Sequence, residues 1–157
     1  MEHLIIIDPT LRGREYGTLA SMHNAIRNVT NAETLILPQL SLFEKFFIQG
    51  SRWRWFRKFS KKKHLDINSN VKVIWYIIMG PENFRLDQFK GFENVPNKIV
   101  YLFDTLPHQL NLIVKLNLNK YFSICISSFN DSIPFLQERT NYKWHYFSQA
   151  SIRPKTT

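Results

Sequence analysis

Short runs of β-branched and aromatic residues alternate along this chain with longer stretches in which apolar residues recur every three or four positions. That alternation specifies parallel strands joined by crossover helices. Six strands are predicted, at about residues 3–8, 33–37, 71–79, 98–103, 121–127 and 142–147. Several are nearly continuous apolar runs, such as Leu4-Ile5-Ile6-Ile7 and Ile99-Val100-Tyr101-Leu102-Phe103, which suits strands covered on both faces. Tyr16, Leu19, Ala20, His23 and Ile26 share one face at helical spacing, so a helix is expected over 16–29.

Two helix starts carry a capping signature. Ser41-Leu42-Phe43-Glu44 places an acid three residues after a serine, and Ser128-Phe129-Asn130-Asp131 repeats the arrangement ahead of a helix over 130–140. Between the third and fourth strands, Gly80-Pro81, Gly91 and Pro96 predict a loop with at most one short helix near 85–90. The expected fold is a single Rossmann-like, doubly wound α/β domain over 1–150. Its mostly parallel sheet has about six strands with helices on both faces, in the default order 3-2-1-4-5-6; residues 151–157 form a tail.

Composition supports a packed domain, with 44% hydrophobic and 15% aromatic residues in 157. The one cysteine, Cys125, has no disulfide partner and lies in an apolar run, which points to a reducing, cytoplasmic setting. No apolar run approaches the ~20 residues that cross a bilayer. The five histidines are scattered and lack metal-ligand spacing, so no metal or other cofactor is expected.

Charge changes the picture in one place. Seven of the positive charges behind the net +9 fall within 52–63, as Arg52, Arg54, Arg57, Lys58, Lys61, Lys62 and Lys63, with no acid among them; +9 less seven leaves +2 for the rest. On a helical wheel Trp53, Trp55, Phe56 and Phe59 gather on one arc and most of the cations on the other, with Arg52 on the apolar side. A basic amphipathic helix of this kind suits an anionic membrane surface. A core helix with a solvated basic face explains the same pattern, and a nucleic-acid patch is the weakest of the three readings.

Open α/β sheets bind ligands at the C-terminal ends of their strands, and four segments that end there carry a resemblance. They are Ile5-Ile6-Ile7-Asp8-Pro9-Thr10-Leu11-Arg12-Gly13, the run from Lys98 through Asp104-Thr105-Leu106-Pro107-His108, the stretch YFSICISSFND at 121–131, and Trp144-His145-Tyr146-Phe147-Ser148-Gln149-Ala150. Together they resemble, in register, the N-terminal, acceptor-side domain of GT-B glycosyltransferases. The first loop, Gly13-Arg14-Glu15-Tyr16-Gly17, departs from the paired glycines or Gly-His common there.

The resemblance implies a domain that holds a carbohydrate or lipid-linked acceptor, with the nucleotide sugar bound by a second domain. The chain leaves the pattern near Ala150, so the expectation is a remnant inactive by itself or half of a split enzyme whose donor-binding partner is another chain. His108 and Asp104 are then candidates for the base or hydroxyl-orienting group, against the simpler reading of a capping or solvent-exposed pair. Asp8, Gly13, Arg14 and Gly17 are candidates for acceptor or phosphate binding, against a turn that needs glycine for backbone reasons. Ser127 and Ser128 join them at the tip of strand five, with Ser128 also explained as a helix cap. The alternative class is a non-catalytic binding module that uses its basic helix on membrane or nucleic acid; the expected location is cytoplasmic, peripheral on the inner face of the membrane. A dinucleotide fold is disfavoured because no GxGxxG follows the first strand.

Overall fold

The computed structural model describes residues 2–7, 18–37, 65–81, 84–103 and 105–148. Strands β1 (His3–Ile7), β2 (Glu33–Ile36), β4 (Val73–Ile78), β6 (Asn97–Leu102), β7 (Ile124–Ser127) and β8 (Trp144–Tyr146) form one sheet in the order β2-β1-β4-β6-β7-β8. Every neighbouring pair is parallel. The six strands are those expected from the apolar runs, each within a few residues of its predicted bounds. Two further strands of two residues, β3 (Leu65–Asp66) and β5 (Phe89–Lys90), pair separately; neither is long enough to show a period.

The strand order corrects the default. Counting only the six sheet strands it reads 2-1-3-4-5-6, because β4 lands beside β1 rather than outside β2. The winding direction therefore reverses after two strands instead of three, and the switch point lies between β1 and β4.

Three helices are described: α1 (Thr18–Thr30), α2 (Pro107–Leu116) and α3 (Ile133–Thr140). Crossovers of one hand put a helix on opposite faces when the direction of winding reverses. Accordingly α1, which links β1 leftwards to β2, lies on one face, while α2 and α3, which link rightward steps, lie on the other. Met22 and Ile26 of α1 pack with Ile5, Ile7, Ile77, Tyr101 and Phe103. On the opposite face Ile113 of α2 and Leu136 of α3 join Leu4, Ile6, Ile74, Tyr76, Val100, Leu102 and Cys125.

The α2/α3 face contains a nest of rings. Tyr76 stands 5.8, 6.2 and 5.7 Å from Phe84, Phe89 and Phe122, and Phe92 stands 5.6 Å from Phe122. These centroid separations are those of favourable edge and tilted contacts. The Tyr76 hydroxyl accepts the Arg85 N–H at 3.0 Å, so its polar tip is satisfied inside the nest. The segment between β4 and β6 packs onto the sheet through two 3-10 turns, Leu86–Gln88 and Phe92–Asn94, where a loop with at most one short helix near 85–90 was expected.

All three helices end on an asparagine with positive φ: Asn31 at 51°, Asn117 at 53° and Asn141 at 51°. Each donates its backbone N–H back into the last turn, to Arg27, Val114 and Gln137 carbonyls. Asparagine tolerates the left-handed region better than other side-chain-bearing residues, and serves here where glycine is more usual.

Candidate functional site

Parallel pairing throughout puts the C-terminal ends of all six strands on one rim, where the loops after β1, β4, β6, β7 and β8 emerge. Of the residues singled out in the sequence, His108, Ser127 and Ser128 lie on this rim. Asp8, Gly13, Arg14, Gly17, Asp104 and the basic residues of 52–63 fall outside the described residues, as does the helix expected after Ser41.

His108 occupies the first turn of α2, directly after Pro107, and is exposed. Proline is pre-shaped for that first position, and the Leu106 N–H is accepted by Gln109 Oε1 at 3.2 Å. The imidazole makes no hydrogen bond with another described residue.

The two serines do not reach into solvent as candidate ligand groups would. Alternation along β7 turns Ser127 to the α2/α3 face, where it is fully buried. Its Oγ lies 2.7 Å from Thr105 Oγ1 and 3.0 Å from Ser132 Oγ, and Thr105 and Ser132 are 3.1 Å apart. Ser132 Oγ donates to the Phe129 carbonyl at 2.7 Å, and the Phe129 N–H donates to Ser127 Oγ at 3.1 Å. A consistent assignment runs Thr105 to Ser127 to Ser132 to the Phe129 carbonyl, which uses each hydroxyl hydrogen once. The three hydroxyls are thus consumed in holding the turn after β7.

Ser128 does not cap a helix. Its Oγ donates to the Phe103 carbonyl and its N–H to the Leu102 carbonyl at 3.1 Å, tying the end of β7 to the end of β6. The chain first makes a 3-10 turn at Asn130–Ser132 and enters α3 only at Ile133, so the capping signature falls too early for the helix it announced.

The same rim exposes three aromatic residues that sequence reasoning did not select. Phe129 is 37% exposed, Tyr146 51% and Phe147 53%. All three attach to Ser127. Phe129 follows it by two residues, Tyr146 is its register partner on β8, and the Phe147 N–H donates to its carbonyl at 3.1 Å. The Phe147 carbonyl in turn accepts the Tyr101 hydroxyl at 2.9 Å. Burial pushes the Tyr101 phenol up to about 12, so it keeps the proton that it donates. The signal that could have found them is their place at or just beyond strand ends.

Two other reactive groups are structural. Cys125 is buried on the α2/α3 face and burial raises its thiol to about 12, which keeps it un-ionised and unreactive. His23 is buried between α1 and β2 with Nε2 2.7 Å from Thr34 Oγ1, and burial lowers its pKa. Among the described residues no cluster of histidine, cysteine and carboxylate could hold a metal, and no helix is long and apolar enough to cross a membrane.

Set against protein-family models, curated proteins and solved structures, the chain has no match. The fold alone defines its class: a Rossmann-like, doubly wound α/β domain.

Proposed function

We propose that the chain is a glycosyltransferase-like acceptor domain, which binds a carbohydrate or lipid-linked acceptor at the C-terminal rim and relies on a partner chain for the nucleotide-sugar donor. The observation that carries this reading is the reversal of winding between β1 and β4. In open α/β sheets that reversal marks where ligands bind, and the segment resembling GT-B acceptor domains at 5–13 leaves β1 there. Sugar transfer requires acceptor hydroxyl and donor to be held together, so a single wall binds without catalysing. In the completed enzyme His108, with Asp104, orients or deprotonates the acceptor hydroxyl, and Arg14 lies near phosphate. The basic stretch 52–63 brings the domain to the anionic inner face of a membrane, where a lipid-linked acceptor resides.

Calorimetric titration of the isolated chain with UDP- and GDP-sugars tests the division of labour. The expected result is no measurable heat of binding at micromolar concentrations. Submicromolar binding of either donor would mean that this chain holds a complete donor site and would overturn the reading.

A further inference from the structure

Along β8 and the residue after it, the chain is exposed on both faces of the sheet at once. Tyr146 shares the α2/α3 face with Trp144, whereas His145 shares the α1 face with its register partner Ile126, and the Phe147 ring stands 6.3 Å from Tyr101 on that side. His145 is exposed, as are Tyr146 at 51% and Phe147 at 53%. The opposite edge differs: β2 exposes one large apolar residue, Ile36 at 38%, and Leu37 after it is fully buried. Consecutive exposed residues on alternate faces mark a strand that lacks a neighbour rather than a face that lacks a cover. The peptide groups agree. The Phe147 N–H donates to the Ser127 carbonyl, so Phe147 and His145 direct their peptide groups to β7, while Trp144 and Tyr146 direct theirs outward. Among the described residues no strand lies beyond β8. Apart from its shortness, β8 has no device that blunts such an edge: it contains no proline, its register is unbroken, and Lys143 is the one Lys, Arg, Asp or Glu within 142–148.

We propose that β8 pairs with β8 of a second copy of this chain, antiparallel across a two-fold axis at His145. Centring on the middle residue is the register that gives every residue of the strand a partner. Trp144 and Tyr146 then exchange N–H and C=O bonds with Tyr146 and Trp144 of the second copy, and His145 meets its counterpart as the closer, non-hydrogen-bonded pair. The side chains suit this register. Across the axis Tyr146 lies beside Trp144 on one face and Phe147 beside Lys143 on the other, as aromatic and cation–aromatic neighbours. A foreign strand is selected by complementary charge, of which this edge offers only Lys143. A patch repeated by a two-fold needs no such selection, because it is its own complement. Antiparallel pairing also turns the two C-terminal rims to opposite ends, so neither copy blocks the other's.

Sedimentation equilibrium of the full chain tests the pairing. At micromolar concentrations a species of twice 18.7 kDa is expected. Tyr146→Pro removes an outward N–H and leaves those directed at β7, a position where a sheet edge tolerates proline. It should raise the dimer dissociation constant about ten- to hundred-fold. His145→Asp and His145→Lys each set like charges against each other at the axis and should sediment as monomers, whereas their equal mixture should restore the dimer. If Tyr146→Pro folds poorly, the mixture, made at an exposed position, still decides the matter. A chain that stays monomeric would overturn the proposal, and slow exchange of the Trp144 and Tyr146 amides in that monomer would show the edge to be covered within one copy. A dimer that Tyr146→Pro leaves intact would place the contact elsewhere and overturn it too. So would a mixture no more associated than its two components.

Discussion

The two rims of the sheet are both closed by hydrogen bonds, but through groups of different kinds. At the N-terminal rim the Glu2 carbonyl accepts from Lys72 and Val73, the Lys72 carbonyl accepts from Asn97, and Ser123 exchanges bonds with Lys98. Lys98 Nζ donates to the carbonyls of Phe92, Glu93 and Val95 at 3.2, 3.1 and 2.6 Å and lies 5.2 Å from the Phe92 ring. Tyr142 donates to the Ser123 carbonyl at 2.5 Å. The closing groups there are lysine, asparagine, serine and tyrosine, and their polar ends remain close to water. At the C-terminal rim the closing hydroxyls are buried and the rings are outside. Exposed rings are not confined to that rim, since Tyr121 at the N-terminal rim is 38% exposed; the difference lies in the buried hydroxyls.

Substitutions that remove one clamp from each rim sharpen this contrast. Ser127→Ala strands the Phe129 N–H in a part-buried site while Thr105 and Ser132 still bond to each other at 3.1 Å, and should cost about 1–3 kcal/mol in denaturant unfolding. Lys98→Met removes a partly solvated donor from three carbonyls, of which that of Glu93 is exposed, and should cost less, about 1 kcal/mol. Equal costs would mean that the two rims are built alike.

Acid provides a change that belongs to neither rim. Burial holds the His23 pKa below its ordinary value near 6.5, so the unfolded chain takes up this proton before the folded one does. Its contribution to stability is therefore complete above the ordinary histidine range and is lost as pH falls towards the depressed folded value. Thermal melts should fall between pH 7 and pH 5, and His23→Gln should flatten that decline. An unchanged slope in the variant would assign the acid sensitivity elsewhere.

The architecture was legible where residues act through repetition. The six sheet strands stand out because burial on both faces yields unbroken runs such as Leu4-Ile5-Ile6-Ile7, and α1 because its apolar residues recur at helical spacing; α3 is announced only by a capping signature. Strand order was not legible, since nothing in residues 73–78 records on which side of β1 they pair. The rim was misread for a related reason. Ser127 looks like a free hydroxyl at a strand tip until its alternation with Cys125 and Ile126 is set against the helices, which turns it inward. Phe129 is passed over inside a capping signature, and only the structure shows Ser127 and Ser132 holding its backbone. Ser128 carries a capping signature that falls too early, because a 3-10 turn at Asn130–Ser132 comes between it and α3.

Hydrogen exchange of individual amides is the most direct measurement of whether the C-terminal rim is preorganised. The Phe129 and Phe147 amides belong to residues that are substantially exposed, yet each donates to a buried or strand-end acceptor. They should exchange as slowly as the rim amides of Val73 and Ser123, opening only with larger unfolding events. Exchange of Phe129 and Phe147 at the rate of an open loop, with Val73 and Ser123 protected, would contradict the account: the buried hydroxyls would then not hold the backbone of this rim in place.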